Sequence, residues 1–331
     1  MCGVLGPVLL GAALLGAPPL PAALGVGPSL SAAASASARP PECRSASRRA
    51  AAHGPNVWEA ARQPALPAYC DLLARAHTEL STSPKEAKAS AEAAEKILPG
   101  HAATAIVKAR AALALGAPAE AAAEFDKARA IDPRSIEDAP AMRDLGRTLL
   151  KTGKLEEALA VYRALVPRVE LLGTSAEQVT ALLEAAHASM ASAASKGGKI
   201  SLDEAIAYLR EARLRPVTEM TGQVHLSLAL VLDRAGEPEE AEGALVEAQR
   251  AGIHKGAVPY DYAATAEDRQ ALLALGTEHD DRPFSQKTWE GYLAGPGGKG
   301  PWAAEARARL ERVKKGGGKA APLPKAPGKK R

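Results

Sequence analysis

The chain has 331 residues, a net charge of +4, 47% hydrophobic residues and only 3% aromatic ones. With three Trp, six Tyr and two Phe, the core must be built from Ala and Leu, which favours closely approached helices over sheets rich in β-branched and aromatic residues. Lys314–Arg331 holds seven positive charges and no acid, which leaves the remainder at −3. Overall charge therefore gives no support to nucleic-acid binding by the body of the chain.

Residues 1–38 carry no charged side chain. The apolar run Val4–Leu15 is followed by Pro-rich and then Ala/Ser-rich sequence ending in Ala36-Ser37-Ala38. This reads as a signal peptide cleaved after Ala36 or Ala38, with a periplasmic or secreted mature chain. The run departs from the usual pattern in having no Lys or Arg ahead of it. An uncleaved anchor is the competing reading, but Pro18, Pro19 and Pro21 interrupt the run before the ~20 residues that span a bilayer. Cys2 would leave with the signal. Cys43 and Cys70 remain, and the sequence leaves open whether they form a disulfide or stay as two thiols.

Residues 39–56 read as a linker and residues 57–250 as a helical array, with a short helical segment at Val57–Gln63 around Trp58. From Pro67 onward, helical segments are separated by Gly or Pro, and no stretch alternates with the period of a strand. Three segments share one spacing. The first has Ala109, Gly116, Ala121, Phe125 and Ala128; the second has Gly146, Gly153, Ala158, Tyr162 and Leu165; the third has Ala229, Gly236, Ala241, Leu245 and Ala248. The intervals are seven, five, four and three in each. A glycine at the turn can take the left-handed conformation that ends a helix. Small residues at the crossing let two backbones approach, and a large residue four positions on fills the space between neighbouring pairs.

That pattern resembles the tetratricopeptide repeat, a helix–turn–helix of about 34 residues that stacks into a superhelix. The resemblance implies an all-α solenoid with protein or peptide partners. The turn glycines 116 and 153 are 37 apart, which places a short insertion near Ser135–Pro140. Two further copies are degenerate. Pro67–Pro99 keeps Ala87, Ala91 and Ala94 but has Ser81-Thr82-Ser83 at its turn. Ser175–Pro216 keeps Ala205, Leu209 and Ala212, but its first helix and the Lys196–Lys199 loop are about two turns too long, so the excess is expected to protrude and to edge a binding surface.

Residues 251–315 hold six of the eleven aromatics: Tyr260, Tyr262, Phe284, Trp289, Tyr292 and Trp302. Helices are expected near Ala266–Leu275, Gln286–Leu293 and Trp302–Val313, forming a module that caps the last repeat. Residues 316–331, rich in Gly, Lys, Pro and Ala, read as a disordered basic tail.

No catalytic constellation stands out. Gly295–Gly300 spells G-x-G-x-x-G, but a helical segment precedes it where the dinucleotide fingerprint needs a strand, so it reads as a helix–helix loop. The seven His include no H-E-x-x-H pair, and His279-Asp280-Asp281 lacks the three or four convergent ligands of a metal site. No cofactor and no metal are expected. The family resemblance instead places a ligand groove along the first helices of the pairs, at Ile106, Arg110, Leu113, Arg143, Arg147, Leu150, Leu226 and Leu230. Arginines with apolar neighbours would suit a partner with an acidic segment. The family's carboxylate clamp uses Lys and Asn at set positions, whereas Ile106 and Arg110 stand here. The reading is a non-catalytic interaction scaffold of the envelope or exterior. Two alternatives are an envelope-assembly or wall-associated factor that uses the basic tail, and a hydrolase with a cryptic C-terminal site.

Overall fold

The structure is a computed structural model, and it describes residues 40, 42–43, 65–196, 199–253 and 260–315. The expected signal, most of the linker, the Val57–Gln63 segment and the basic tail lie outside the described residues. Among the described residues there is no strand. The α-helices are α1 (Leu66–Glu79), α2 (Pro84–Ile97), α3 (Ala102–Ala114), α4 (Pro118–Ile131), α5 (Ala139–Lys151), α6 (Leu155–Leu165), α7 (Ser175–Lys196), α8 (Lys199–Arg213), α9 (Thr218–Ala235), α10 (Pro238–Arg250), α11 (Ala266–Gly276), α12 (Arg282–Ala294) and α13 (Ala303–Lys314). The first ten pack as five consecutive pairs, α1 with α2 through α9 with α10, and each pair packs on the next. This is the expected all-α solenoid.

The turns form as the spacing predicts. Gly116, Gly153 and Gly236 have φ of 77°, 77° and 83°. Each glycine amide donates to the carbonyl three residues back, and the following amide donates to the carbonyl five back, as in Gly116 to Leu113 and Ala117 to Ala112. This pair of bonds satisfies carbonyls that a helix end leaves orphaned. Gly252 (φ 85°) ends α10 by the same bonds, to Gln249 and Ala248. Pro118 and Pro238 then start α4 and α10, where a missing N–H costs nothing.

The helix faces follow from the small residues. Ala109, Ala121, Ala128, Ala158, Ala229, Ala241 and Ala248 are fully buried, and so are the space-filling Phe125, Tyr162 and Leu245. The second pair of the spacing series has Gly146 in place of alanine. A Cβ built there would lie 2.8–3.1 Å from the Tyr162 ring, so the glycine makes room for the aromatic. The short insertion near residue 135 forms a 3-10 turn, Pro133–Ile136, capped by the Asp132 carboxylate, which accepts from the Arg134 amide.

The long α7 is enclosed through its middle: every residue from 181 to 193 is buried. Residues 197 and 198 of the loop expected to protrude lie outside the described residues. The helix packs against α6, α8 and α9, and against the 3-10 turn Val166–Leu171. Ala-rich sequence can be enclosed on all sides because alanine leaves little side chain to accommodate.

Both ends of the described body are tied down. Cys43 is bonded to Cys70 of α1, closing a loop of 27 residues, which stabilises by about 3.5 kcal/mol in a chain-entropy account. At the other end, α11, α12 and α13 pack in sequence, and α11 packs on α9 and α10. The Arg309 side chain, 1% exposed, donates from Nε to Asp233 of α9 at 3.0 Å and from a terminal nitrogen to Glu278 at 3.4 Å. Trp289 donates to the same Glu278 at 3.0 Å. Arg234 pairs with Asp268 at 2.6 Å and lies over the Trp302 ring at 5.3 Å.

The Gly146–Tyr162 contact predicts a change of sign. Gly146→Ala should destabilise the wild type by about 1–2 kcal/mol, because overpacking outweighs the roughly 1 kcal/mol by which alanine favours a helix. In a Tyr162→Leu background the same substitution should stabilise, as read from urea unfolding midpoints of the four proteins.

Candidate functional site

From α3 to α9, each first helix is linked to the next, and α9 to α11, by a polar contact one repeat away in sequence. Arg110 of α3 donates to Asp144 of α5 at 2.7 Å. Arg143 and Arg147 of α5 both reach Glu184 of α7, at 3.4 and 3.0 Å. His187 of α7 meets Ser227 of α9 at 3.1 Å, and Arg234 of α9 pairs with Asp268 of α11 at 2.6 Å. The contact runs from helix to helix because a residue on one face of a first helix meets its counterpart about 34–41 positions later.

The groove expected from the sequence is only partly open. Leu226 and Leu230 of α9 are 0% and 2% exposed, and Ile106 and Leu113 of α3 are 7% and 6%. Leu226 packs close to Gly276 of α11. These four leucine and isoleucine side chains are core, and none of them offers a surface to a ligand in this state. Their apolar character is used in stacking α3 and α9 on their neighbours. Leu150 is half-buried against the core. Arg110, Arg143 and Arg147 keep partial exposure at 22%, 15% and 31% of the side chain, but each already holds a carboxylate. The positive charge expected along the groove is therefore largely neutralised within the fold.

Glu184 is the centre of this arrangement. Its side chain is 4% exposed. Burial pushes its carboxyl up, against the pull of Arg143 and Arg147. Tyr162 donates to it at 3.4 Å from α6. Burial likewise holds the Tyr162 phenol well above its ordinary value.

Ser227 and His187 form a nucleophile–base pair that the sequence did not disclose, since they stand 40 residues apart. The one available signal was the repeat length itself, which sets the partner of each inner residue about one unit away. Both side chains are 0% exposed. The Tyr262 ring packs on the imidazole at 5.1 Å between centroids. His187 Nδ1 is buried without a hydrogen-bond partner, so no group orients the ring as a catalytic triad requires. Burial pushes the imidazole down to about 4, with Asp268 and Arg234 acting in opposite directions. The pair is a hydrogen bond between two helices.

The other sequence motifs resolve structurally. In Gly295–Gly300, Pro296–Lys299 is a 3-10 turn between α12 and α13. A Cβ on Gly298 would lie 1.8 Å from the Leu293 carbonyl oxygen, and one on Gly297 2.5 Å from the Tyr292 ring. These glycines permit a close return of the chain. In His279-Asp280-Asp281, His279 faces Glu242 at 3.5 Å, which raises its pKa, and the Asp281 carboxylate caps α12 by accepting from the Phe284 amide. Among the described residues, no group of three or more His, Cys, Asp or Glu could hold a metal, and no helix is long and apolar enough to cross a membrane.

Residues 112–170, from the end of α3 through α6, match the family model described as tetratricopeptide repeat. No curated protein matches the chain. Several solved structures resemble it in fold. The assembly chaperone of RpL4 (Acl4, residues 1–338) is 16% identical, over 75% of this chain and 98% of that one, with a TM-score of 0.46. Pseudomonas aeruginosa PilF is 16% identical, over 75% and 99%, with a TM-score of 0.45. TTC0263, a thermophilic protein of the same repeat type from Thermus thermophilus, is 22% identical, over 65% and 99%, with a TM-score of 0.38.

The His187 environment predicts a pH dependence. The unfolded imidazole takes up its proton near pH 6.5 and the folded one only near about 4. Between those values the unfolded chain binds more protons, so stability falls as the pH falls. The wild type should lose about 3 kcal/mol more than His187→Gln between pH 7 and pH 4, measured by urea unfolding at each pH. An equal loss in the two proteins would show that the folded imidazole titrates normally.

Proposed function

We propose, for this member of the tetratricopeptide-repeat family, the role of a non-catalytic protein-interaction scaffold acting in the cell envelope or outside the cell. The observation that carries the reading is the row of partly exposed side chains along successive first helices, Arg110, Arg147 and Leu150. Helices stacked in this way present a continuous surface wider than any one of them, and such surfaces bind extended partners.

The arginines define the kind of partner. Arg110 and Arg147 each hold an internal carboxylate, so a partner's acidic side chain would have to share or exchange it. Exchange of this type gives selectivity more than raw affinity. Leu150 supplies an apolar contact beside them. The role is non-catalytic because the nucleophile–base pair, Ser227 with His187, is enclosed on all sides. An extracytoplasmic location is supported by the charge-free segment 1–38 with its apolar run and by the Cys43–Cys70 bond, which persists in oxidising compartments.

A photocrosslinking residue at position 150 of the full chain, irradiated in cells, should give a discrete adduct, and one at the outward Lys85 should not. Arg110→Ala with Arg147→Ala should weaken the adduct several-fold. Arg143 remains on Glu184 in that variant, while Asp144 loses Arg110, so thermal unfolding is measured alongside and the adducts are compared where both proteins are folded. The same adduct pattern from both positions would remove the inner face from consideration.

The localisation part has its own measurement. Intact mass of the protein recovered from the envelope or medium should place the mature N-terminus at Ser37 or Arg39. A full-length mass, with the protein confined to the cytoplasm, would end the export reading.

A further inference from the structure

We propose that the Cys43–Cys70 bond is a redox switch for the first helix. Thiol–disulfide exchange with an external dithiol releases α1 and the Glu42–Cys43 segment, while α2 and the helices after it stay folded. The buried apolar residues do not form one continuous core. The largest cluster begins on α3 and runs to α13. A separate small cluster holds the first pair: Tyr69, Leu73 and Ala76 of α1, Ala91 and Ala94 of α2, Val107 of α3, and Cys43 itself. Three of its members are alanines, which bury little apolar area.

The two helices of that pair are not held alike. Glu95 of α2 accepts from Lys108 of α3 at 2.9 Å and from Lys127 of α4 at 2.5 Å, and Lys88 of α2 pairs with Glu120 of α4. These bonds tie α2 to the two helices that follow it. The hydrogen bond of Glu79 in α1, accepted from Ser90 at 2.8 Å, goes only to α2. A terminal unit of a stacked array has one neighbour where an inner unit has two. A helix of 14 residues is also marginal in water without packing.

The Glu42–Cys43 segment supplies cover on the outer side of α1. Cys43 is 5% exposed. Glu42 accepts from the Tyr69 hydroxyl at 3.2 Å and lies 3.6 Å from His101 Nδ1, and the Tyr69 and His101 rings pack at 5.4 Å between centroids. Tyr69 is fully buried as a result. Once the disulfide is cut, these contacts have to hold the segment against the entropy of the loop it closes. Its departure uncovers Tyr69, and the departure of α1 uncovers Ala91, Ala94 and Val107. That apolar surface, one helix long, exists only in the reduced protein; an oxidising compartment keeps it covered.

The accessible sulfur is that of Cys70, which is half-buried where Cys43 is enclosed. A thiolate of the dithiol attacks Cys70 Sγ, the disulfide breaks, and Cys43 leaves with the electron pair as a thiolate. The second thiol of the donor then attacks the donor sulfur of the mixed disulfide and releases Cys70. The donor ends as a cyclic disulfide, and its two protons pass to the two cysteines.

Hydrogen exchange of the full chain, oxidised and with dithiothreitol, tests the switch. Reduction should speed exchange in Leu66–Glu79 about tenfold or more, and should change α2 to α9 less than about twofold. In the reduced protein, iodoacetamide should alkylate Cys43 at a rate close to that of Cys70. Cys43→Ser with Cys70→Ser should show the fast α1 exchange with no dithiol present, which separates loss of the bond from other effects of the reductant. Unchanged α1 exchange on reduction, loss of protection from α1 to α9 together, or a reduced Cys43 that stays shielded from iodoacetamide would each overturn the proposal.

Discussion

Everything in this fold depends on how closely two helices of a pair can approach. With so few aromatic residues, the core cannot be filled by large rings, and contact has to come from backbones brought near each other. Alanines at the crossings permit it, and the enclosed Phe125, Tyr162 and Leu245 fill what remains between pairs. Interiors are packed about as densely as organic crystals, so the crossing residue and the filler are chosen together. Gly146 beside Tyr162 is one solution and Ala109 with Phe125 another. The left-handed glycines follow from the same constraint, because only an abrupt reversal returns the second helix against the first.

Onto this apolar stacking is laid a set of polar contacts that fix the register of neighbouring repeats. Ala-rich surfaces are alike along their length and would tolerate sliding. The links from Arg110 to Asp144, from Arg143 and Arg147 to Glu184, from His187 to Ser227, and from Arg234 to Asp268 each work at one offset only. Buried pairs of this kind add little net stability against an apolar alternative. Removing one partner is costly, typically about 3–5 kcal/mol, because a charge is left uncompensated. The enclosed Arg309, held by Asp233 and Glu278, does for α13 what the inner links do for the first helices.

Much of this architecture was legible in the residues. The interval of seven, five, four and three located the turns, the crossings and the fillers, because those positions answer to local backbone geometry and to side-chain size. The three C-terminal helices also stand where their periodicity puts them. Depth was not legible. Leu226, Leu230, Ile106 and Leu113 sit at groove positions by family spacing, yet the groove at those points is closed by packing. The middle of the long α7 is likewise enclosed. Both observations have one origin: the exposure of a helix face is decided by what stacks on it, and those partners lie one or more repeats away.

The sequence by itself determined the helices, their turns and the pairing of each helix with the next, since these rest on contacts within about forty residues. It also determined the charge-free N-terminal segment and the basic C-terminal one, which are statements of composition. The tertiary structure decided that Arg110, Arg143 and Arg147 each pair with a carboxylate from the following repeat. It likewise decided that Ser227 and His187 meet and are then sealed. Coulomb and hydrogen-bond interactions act at a few ångströms between groups that the chain separates by a whole repeat, and only the stacking of the repeats brings that distance into being.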